Sequence, residues 1–136
     1  MKKMPKNYRS PDKFGSLLGY RLLKFDRKRM LARAVLTLRE DHLSPAGRIH
    51  GGVISSFFDY TCGAAVFSTM QHNDFCSTVE LKVNYFRPLF VGDYLNCTSQ
   101  VIFRGNRLAV VHATLERKKE KVAMATATFY VVSNKK

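Results

Sequence analysis

Four segments in the second half of the chain alternate apolar and polar residues, and the segment ahead of them does not. Ser77 to Phe86 sets Thr78, Glu80, Lys82 and Asn84 on one side and Val79, Leu81, Val83 and Tyr85 on the other. That period of two predicts a strand. Arg87-Pro88 ends it, because proline cannot donate to a strand ladder. Tyr94 to Arg104 predicts a second strand, Gly105-Asn106 a turn, and Arg107 to Arg117 a third strand. Lys118-Lys119-Glu120-Lys121 reads as a charged hairpin loop, and Val122 to Val132 as the fourth strand. The preceding run, from about Gly51 to Met70, is apolar nearly all round. It predicts a helix wrapped by protein on most sides. Its small residues Ser55, Ser56, Gly63, Ala64 and Ala65 would let a sheet approach closely.

The first fifty residues carry weaker signals. Residues 1–10 are polar and basic and predict a flexible N-terminus. Ser10-Pro11-Asp12 looks like a helix start, with Ser10 as N-cap and Pro11 in the first turn. Phe14, Leu17 and Leu18 would form the buried side of that short helix, and Gly19 its stop. Tyr20 to Phe25 and Met30 to Leu38 read as strands around a charged turn at Asp26-Arg27-Lys28-Arg29. Residues 39–49, with Pro45 and Gly47, read as a loop. The order is short helix, two strands, one long helix, four strands. The economical solution is an α+β fold, a single domain over residues 11–136 in which an antiparallel sheet of about six strands curls around one apolar helix. At 136 residues such a domain can bury a real core without disulfides.

Charge adds one point. The net charge is +13 and unevenly spread. Residues 1–29 hold ten Lys/Arg against two Asp/Glu, and residues 76–136 hold ten against four. Residues 30–75 hold three against four. A basic shell around a neutral centre suits a phosphate-rich ligand, and equally suits solubility with unspecific attraction to polyanions. Cys62, Cys76 and Cys97 form an odd set without CxxC spacing, which points to a reduced, cytoplasmic protein. The four histidines do not join them at zinc-ligand spacing. The N-terminus lacks an apolar core behind its lysines, so no secretory signal is read. The longest apolar run holds Asp59 and is short for a membrane span.

The chemistry concentrates at His50-Gly51-Gly52 and Asp59. Two glycines entering a helix leave backbone N–H groups bare at the positive end of its dipole, where an oxyanion is stabilised. Asp59 lies about two turns further on, a lone carboxylate in an apolar run. Burying it is costly, which suggests a role. Oxyanion donors plus a carboxylate base or nucleophile are the minimal parts of an acyl-transfer site.

These residues resemble a known family. Phe14-Gly15-Ser16-Leu17-Leu18-Gly19, His50-Gly51-Gly52-Val53 with Asp59, Thr78 to Pro88 with its Asn84-Tyr85-Phe86-Arg87-Pro88 end, the Gly92-Asp93 turn and Arg104 to Ala109 occur in the order typical of hotdog-fold acyl-CoA thioesterases. The likeness is to the phenylacetate-pathway (PaaI-like) type of the 4-hydroxybenzoyl-CoA thioesterase superfamily and covers residues 14–132. It implies an acyl-CoA substrate; ten Phe and six Tyr permit an aromatic or medium-chain acyl pocket without choosing between them. It implies Asp59 as base or nucleophile, Gly51 N–H, with Gly52 as a second donor, polarising the carbonyl, and His50 as the shaper of that loop. It puts Thr78 where relatives hold a water-positioning hydroxyl. It also implies a homodimer or a dimer of dimers, with Asp59 working across the interface from the partner's glycine loop. No cofactor is implied, coenzyme A being part of the substrate. Two departures stand out. Ser44 occupies a position where many relatives carry asparagine. Phe57 and Phe58 are bulkier than usual in the helix, which would narrow an acyl pocket at Phe58.

Plainer readings stand beside these. His-Gly-Gly alone is a common helix entry, and Asp59 would serve equally to pair an arginine. Thr78 is ordinary on a strand. Cys62 is read as a buried hydrophobe, and His112 as structural. Arg104 and Arg107 flank a turn and would be solvated by default, yet coenzyme phosphates make a contact with them plausible. Three other functions compete with hydrolysis: a non-catalytic acyl-CoA-binding hotdog module, a hydratase, and a nucleic-acid binder. Asp59 argues against the first, because a binder gains nothing from a carboxylate beside an anionic ligand. No hydratase motif and no nucleic-acid recognition motif is present, so specific nucleic acid and membranes are not expected as partners.

Overall fold

The computed structural model describes residues 2–3 and 12–133. In chain order the elements are β1 (Lys2–Lys3), α1 (Lys13–Leu18), β2 (Arg21–Asp26), β3 (Leu31–Thr37), a 3₁₀ turn (Glu40–His42), α2 (Gly51–Phe67), β4 (Phe75–Tyr85), β5 (Tyr94–Arg104), β6 (Leu108–Arg117) and β7 (Glu120–Val132). One antiparallel sheet takes the order β1-β2-β3-β5-β6-β7-β4, and α2 packs against each of the six long strands. This is the hotdog arrangement. Of the flexible terminus expected over residues 1–10, Lys2–Lys3 pair with β2. The rest, together with Ser10 and Pro11, lies outside the described residues.

Strict alternation builds the inner face. Leu95, Cys97, Ser99 and Val101 are buried from β5, and Ala109, Val111, Ala113 and Leu115 from β6. β7 adds Ala123, Ala125, Ala127, Phe129 and Val131. The alanines leave volume for α2, whose Phe57 and Phe58 belong to the same core. The β6–β7 hairpin turns at Lys118 and Lys119, both left-handed with φ of 50° and 66°. Two such residues match the right-handed twist of the flanking strands.

Three expectations change. α1 starts after Asp12, whose carboxylate accepts the Gly15 N–H, and ends at Gly19 in the left-handed conformation. Its buried residue is Gly15, whereas Phe14 and Leu17 are 58% and 69% exposed. A six-residue helix meets α2 through one contact point, and glycine allows the closest approach. Among the described residues, α2 is covered on one side. Val53, Ile54, Phe57, Phe58, Thr61, Cys62, Ala65 and Val66 are buried, while Ser55, Ser56, Asp59, Tyr60, Gly63 and Ala64 are half-buried in the single chain. α2 also stops at Phe67 rather than Met70. Arg27 donates to the carbonyls of Ser68 and Met70 at 3.3 Å, and its guanidinium lies over the Phe25 and Phe67 rings. A cation there complements the negative end of the helix.

Candidate active site

The entry to α2 is a fixed corner. His50 is the N-cap, and its Nδ1 accepts the Gly52 N–H at 2.8 Å. The His50 N–H donates to the His42 carbonyl at 2.8 Å, and the His50 carbonyl accepts from Val53 N–H at 3.0 Å. Tyr85 Oη donates to the Gly51 carbonyl at 2.8 Å. Among the described residues, the Gly51 N–H alone of this corner has no acceptor. It points from a helix N-terminus, where partial positive charge gathers. The second donor expected at Gly52 is therefore committed to His50. Glycine is required at 52 for space, since a Cβ would sit 2.9 Å from His50 Nδ1.

The corner is braced from behind. His42 is buried, its Nδ1 accepts from Arg39 N–H at 3.0 Å, and its Nε2 bonds the Leu18 carbonyl at 2.8 Å. Nδ1 as acceptor assigns the proton to Nε2. Arg39 donates to the carbonyls of Leu17 and Leu18. The end of α1 and the loop feeding the glycines are thus held together. Ser44 closes a tight turn in that loop, its N–H on Arg48 and its carbonyl accepting from Gly47. The Ser44 hydroxyl has no partner among the described residues.

Asp59 is two turns along α2 and half-buried. Thr78 Oγ1 donates to Asp59 Oδ1 at 2.6 Å. No arginine or lysine among the described residues pairs with Asp59. The Thr78 contact depends on a bulge. Thr78 pairs with Phe129 and Glu80 with Thr128, so Val79 is an extra residue without a ladder partner. The face therefore switches at Val79. Thr78 shares the inner face with Leu81, Val83 and Tyr85, not the outer face with Glu80 and Lys82 as simple alternation predicts.

The named residues fall around separate hollows. Gly51 and Tyr85 line one of about 630 Å³ with Leu43, Ile49, Ile54, Leu89, Phe90 and Val91, while Arg48 and Arg87 also border it. Asp59 lines a smaller one of about 280 Å³ with Phe14, Tyr20, Ser55, Ser56 and Leu81. Arg104 and Arg107 border a third, polar hollow with Thr69, Gln71 and Asp74. There the Arg104 guanidinium is committed to Thr69 Oγ1 and the carbonyls of Gly105 and Asn106. The Arg107 side chain makes no such bond among the described residues. Phe58 lines none of these hollows. It is 0% exposed in the core, so its bulk fills the space between helix and sheet rather than a substrate pocket.

Other reactive groups are set aside. Cys62 and Cys97 are fully buried beside Ser99. Burial pushes the Cys97 thiol up to about 12 and raises that of Cys62 as well, so neither is a ready nucleophile. His112 stands on the outer face of β6, between Gln100 and Thr126 on the adjoining strands. Among the described residues no group of three or more His, Cys, Asp or Glu could hold a metal ion. No helix among them is long and apolar enough to cross a membrane.

Comparison with known proteins places the fold and the family. The Escherichia coli medium/long-chain acyl-CoA thioesterase YigI is 33% identical over 97 residues, which are 61% of this chain and 62% of that one. The solved structure of protein PA5202 from Pseudomonas aeruginosa superposes with a TM-score of 0.83 at 26% identity, covering 94% of this chain and 100% of that one. The E. coli PaaI protein of the phenylacetic acid degradation operon shares the fold, with a TM-score of 0.82 at 22% identity over 90% and 86% of the two chains. The thioesterase superfamily profile matches residues 46–124, from the loop before the glycine corner through α2 and β4 into β7. A match over more than half the sequence, centred on the residues just described, extends the likeness beyond shape: the chain belongs to the thioesterase superfamily.

Proposed function

We propose that the protein hydrolyses acyl-CoA thioesters with an aromatic or medium-chain acyl group, using a site shared between two copies. The observation that carries this reading is the pairing of a single oriented donor, Gly51 N–H, with a hydrogen-bonded carboxylate, Asp59, on one helix. Eight residues of helix separate them, about 12 Å along the axis. A base and an oxyanion donor must meet at one carbonyl, about 3 Å from each. One chain cannot bring its own pair together, but a second copy can. The half-buried face of α2 and the edge strand β4 are the surfaces available for that pairing. An exposed edge of eleven residues otherwise invites unspecific pairing.

In this mechanism Asp59 takes a proton from water as the water oxygen bonds to the thioester carbon. The carbonyl electron pair moves onto oxygen and is held by the partner's Gly51 N–H and helix dipole. Collapse restores the carbonyl, breaks the C–S bond and expels the coenzyme thiolate, which recovers the proton. Thr78 holds one carboxylate oxygen, leaving Oδ2 to face the water. In the alternative, Asp59 attacks the carbon itself, the C–S bond breaks to release the coenzyme thiolate, and water then opens the resulting anhydride, its proton passing to the thiolate. The apolar hollow beside Gly51 suits an acyl group, and Arg107 is the better placed of the two arginines to meet a coenzyme phosphate. The name of YigI as an acyl-CoA thioesterase supports the substrate class. Purified protein assayed against a panel of acyl-CoAs with a thiol-detecting reagent tests the proposal. Turnover is expected, with Asp59→Asn slower by at least about a hundredfold. Tight acyl-CoA binding without turnover would identify a non-catalytic module instead.

A further inference from the structure

We infer that Tyr85 is a positioning residue for the thioester carbonyl, acting through the glycine corner and resting on the reading above. The Gly51–Gly52 peptide is the softest point of the site, because glycine restrains neither neighbouring torsion. Beyond the helix's own ladder, two side chains hold that peptide. His50 Nδ1 takes its N–H, and Tyr85 Oη donates to its C=O. His50 belongs to the same turn and moves with it. Tyr85 reaches in from β4, 34 residues away, and ties the corner to the sheet. The adjoining His50–Gly51 peptide carries the free donor; Val53 N–H holds its carbonyl from within the helix, and Tyr85 sets how the whole corner sits against the sheet.

The bulge links this tie to the carboxylate. Thr78 and Tyr85 are seven positions apart, an odd number, and a regular strand would turn them to opposite faces. With Val79 left out of the ladder, both face α2. One strand therefore places one hydroxyl on Asp59 and another on Gly51. The phenol is half exposed and lies outside the core, so removing its oxygen leaves the packing intact.

Tyr85→Phe in the full-length protein tests this. kcat is expected to fall roughly tenfold to a hundredfold, the scale of a small misplacement of a reacting group, with KM within about twofold and the thermal midpoint little changed. A spectroscopic readout separates positioning from general damage. In an Asp59→Asn background the thioester stays bound, and its carbonyl stretch reports polarisation by Gly51 N–H. Adding Tyr85→Phe should return that stretch toward its value in water. Tyr85→Ala should cost no more polarisation than Tyr85→Phe, since the oxygen and not the ring makes the bond. Unchanged kcat and an unchanged stretch in Tyr85→Phe overturn the inference. If Asp59→Asn keeps wild-type turnover, the catalytic reading itself is wrong.

Discussion

Thr78 donates its hydroxyl hydrogen to Asp59 Oδ1 at 2.6 Å, from the strand that forms the free edge of the sheet. The bond fixes the carboxylate rotamer, and the second oxygen has no partner among the described residues. Thr78→Ser keeps the donor and should retain most of kcat. Thr78→Val keeps the shape and loses the donor, so kcat should drop about tenfold or more while the fold holds. Steady-state kinetics on the two variants decide it. Equal rates in both would leave Thr78 an ordinary strand residue.

Gly51→Pro offers a clean deletion of the proposed oxyanion donor. Position 51 is the first residue of α2, where proline is tolerated, and His50 before it is extended, as a residue preceding proline prefers. The variant should fold as a dimer and lose at least about a hundredfold in kcat. Mixing it with Asp59→Asn under subunit exchange should recover roughly a quarter of wild-type activity, because half the dimers are mixed and each holds one intact site. No recovery despite proven exchange, or a fully active monomer by light scattering, would rule out the shared site.

If Arg107 meets coenzyme phosphates, salt should raise KM and move kcat less. Screening shortens the reach of exposed charges to about 8 Å at physiological ionic strength, and contacts far from the carbonyl act alike on ground and transition states. Arg107→Ala should blunt the response. Arg104→Ala should act chiefly by loosening its turn, visible as a lower thermal midpoint. A flat KM from low to high salt would leave both arginines as turn charges.

Asp93 couples the loop beside the apolar hollow to pH. Burial by itself would raise its carboxyl, but Arg117 at 2.8 Å and the Phe90 N–H at 2.9 Å outweigh that and hold it below the usual range. A carboxyl depressed in the folded state stabilises above its unfolded value, near 4, and that stability is lost as pH falls through the folded value. Asp93→Asn should lower stability at pH 7 by on the order of 2 kcal/mol. It should also flatten the dependence below about pH 4. Urea midpoints at pH 7 and pH 3 measure it. Parallel losses in both proteins would show that the pair carries no acid sensitivity.

Much of this was legible in the residues. The four late strands alternate so regularly that their positions follow directly, and the pairing of glycines with Asp59 marks the candidate site because a lone acid in an apolar helix needs a reason. What escaped has physical causes. α1 is too short for its apolar residues to define a face, so Phe14 and Leu17 look buried and are not. α2 is apolar on the side that the single chain leaves open, and hydropathy does not tell sheet from partner. Phe58 reads as a pocket wall because sequence shows bulk without direction. The engagement of Gly52 by His50 depends on a side-chain rotamer. The bulge is silent because Val79 is itself apolar and sits in step with the pattern on either side. Tyr85 was in view as part of the strand end, but its bond to Gly51 follows only once the face switch is known.

That silent residue has a consequence for chain length. Thr78 and Glu80 already stand opposite consecutive residues of β7, so a protein lacking Val79 would run an unbroken ladder with the threonine and the phenol still turned inward. The same loss anywhere from Leu81 to Asn84 sends either Thr78 or Tyr85 to the outer surface if the bulge is kept, and if the bulge is undone it turns Glu80 into the core instead. Within eight residues of one strand, a deletion is thus neutral or ruinous to the chemistry according to its place, although the hydropathy of the segment barely changes.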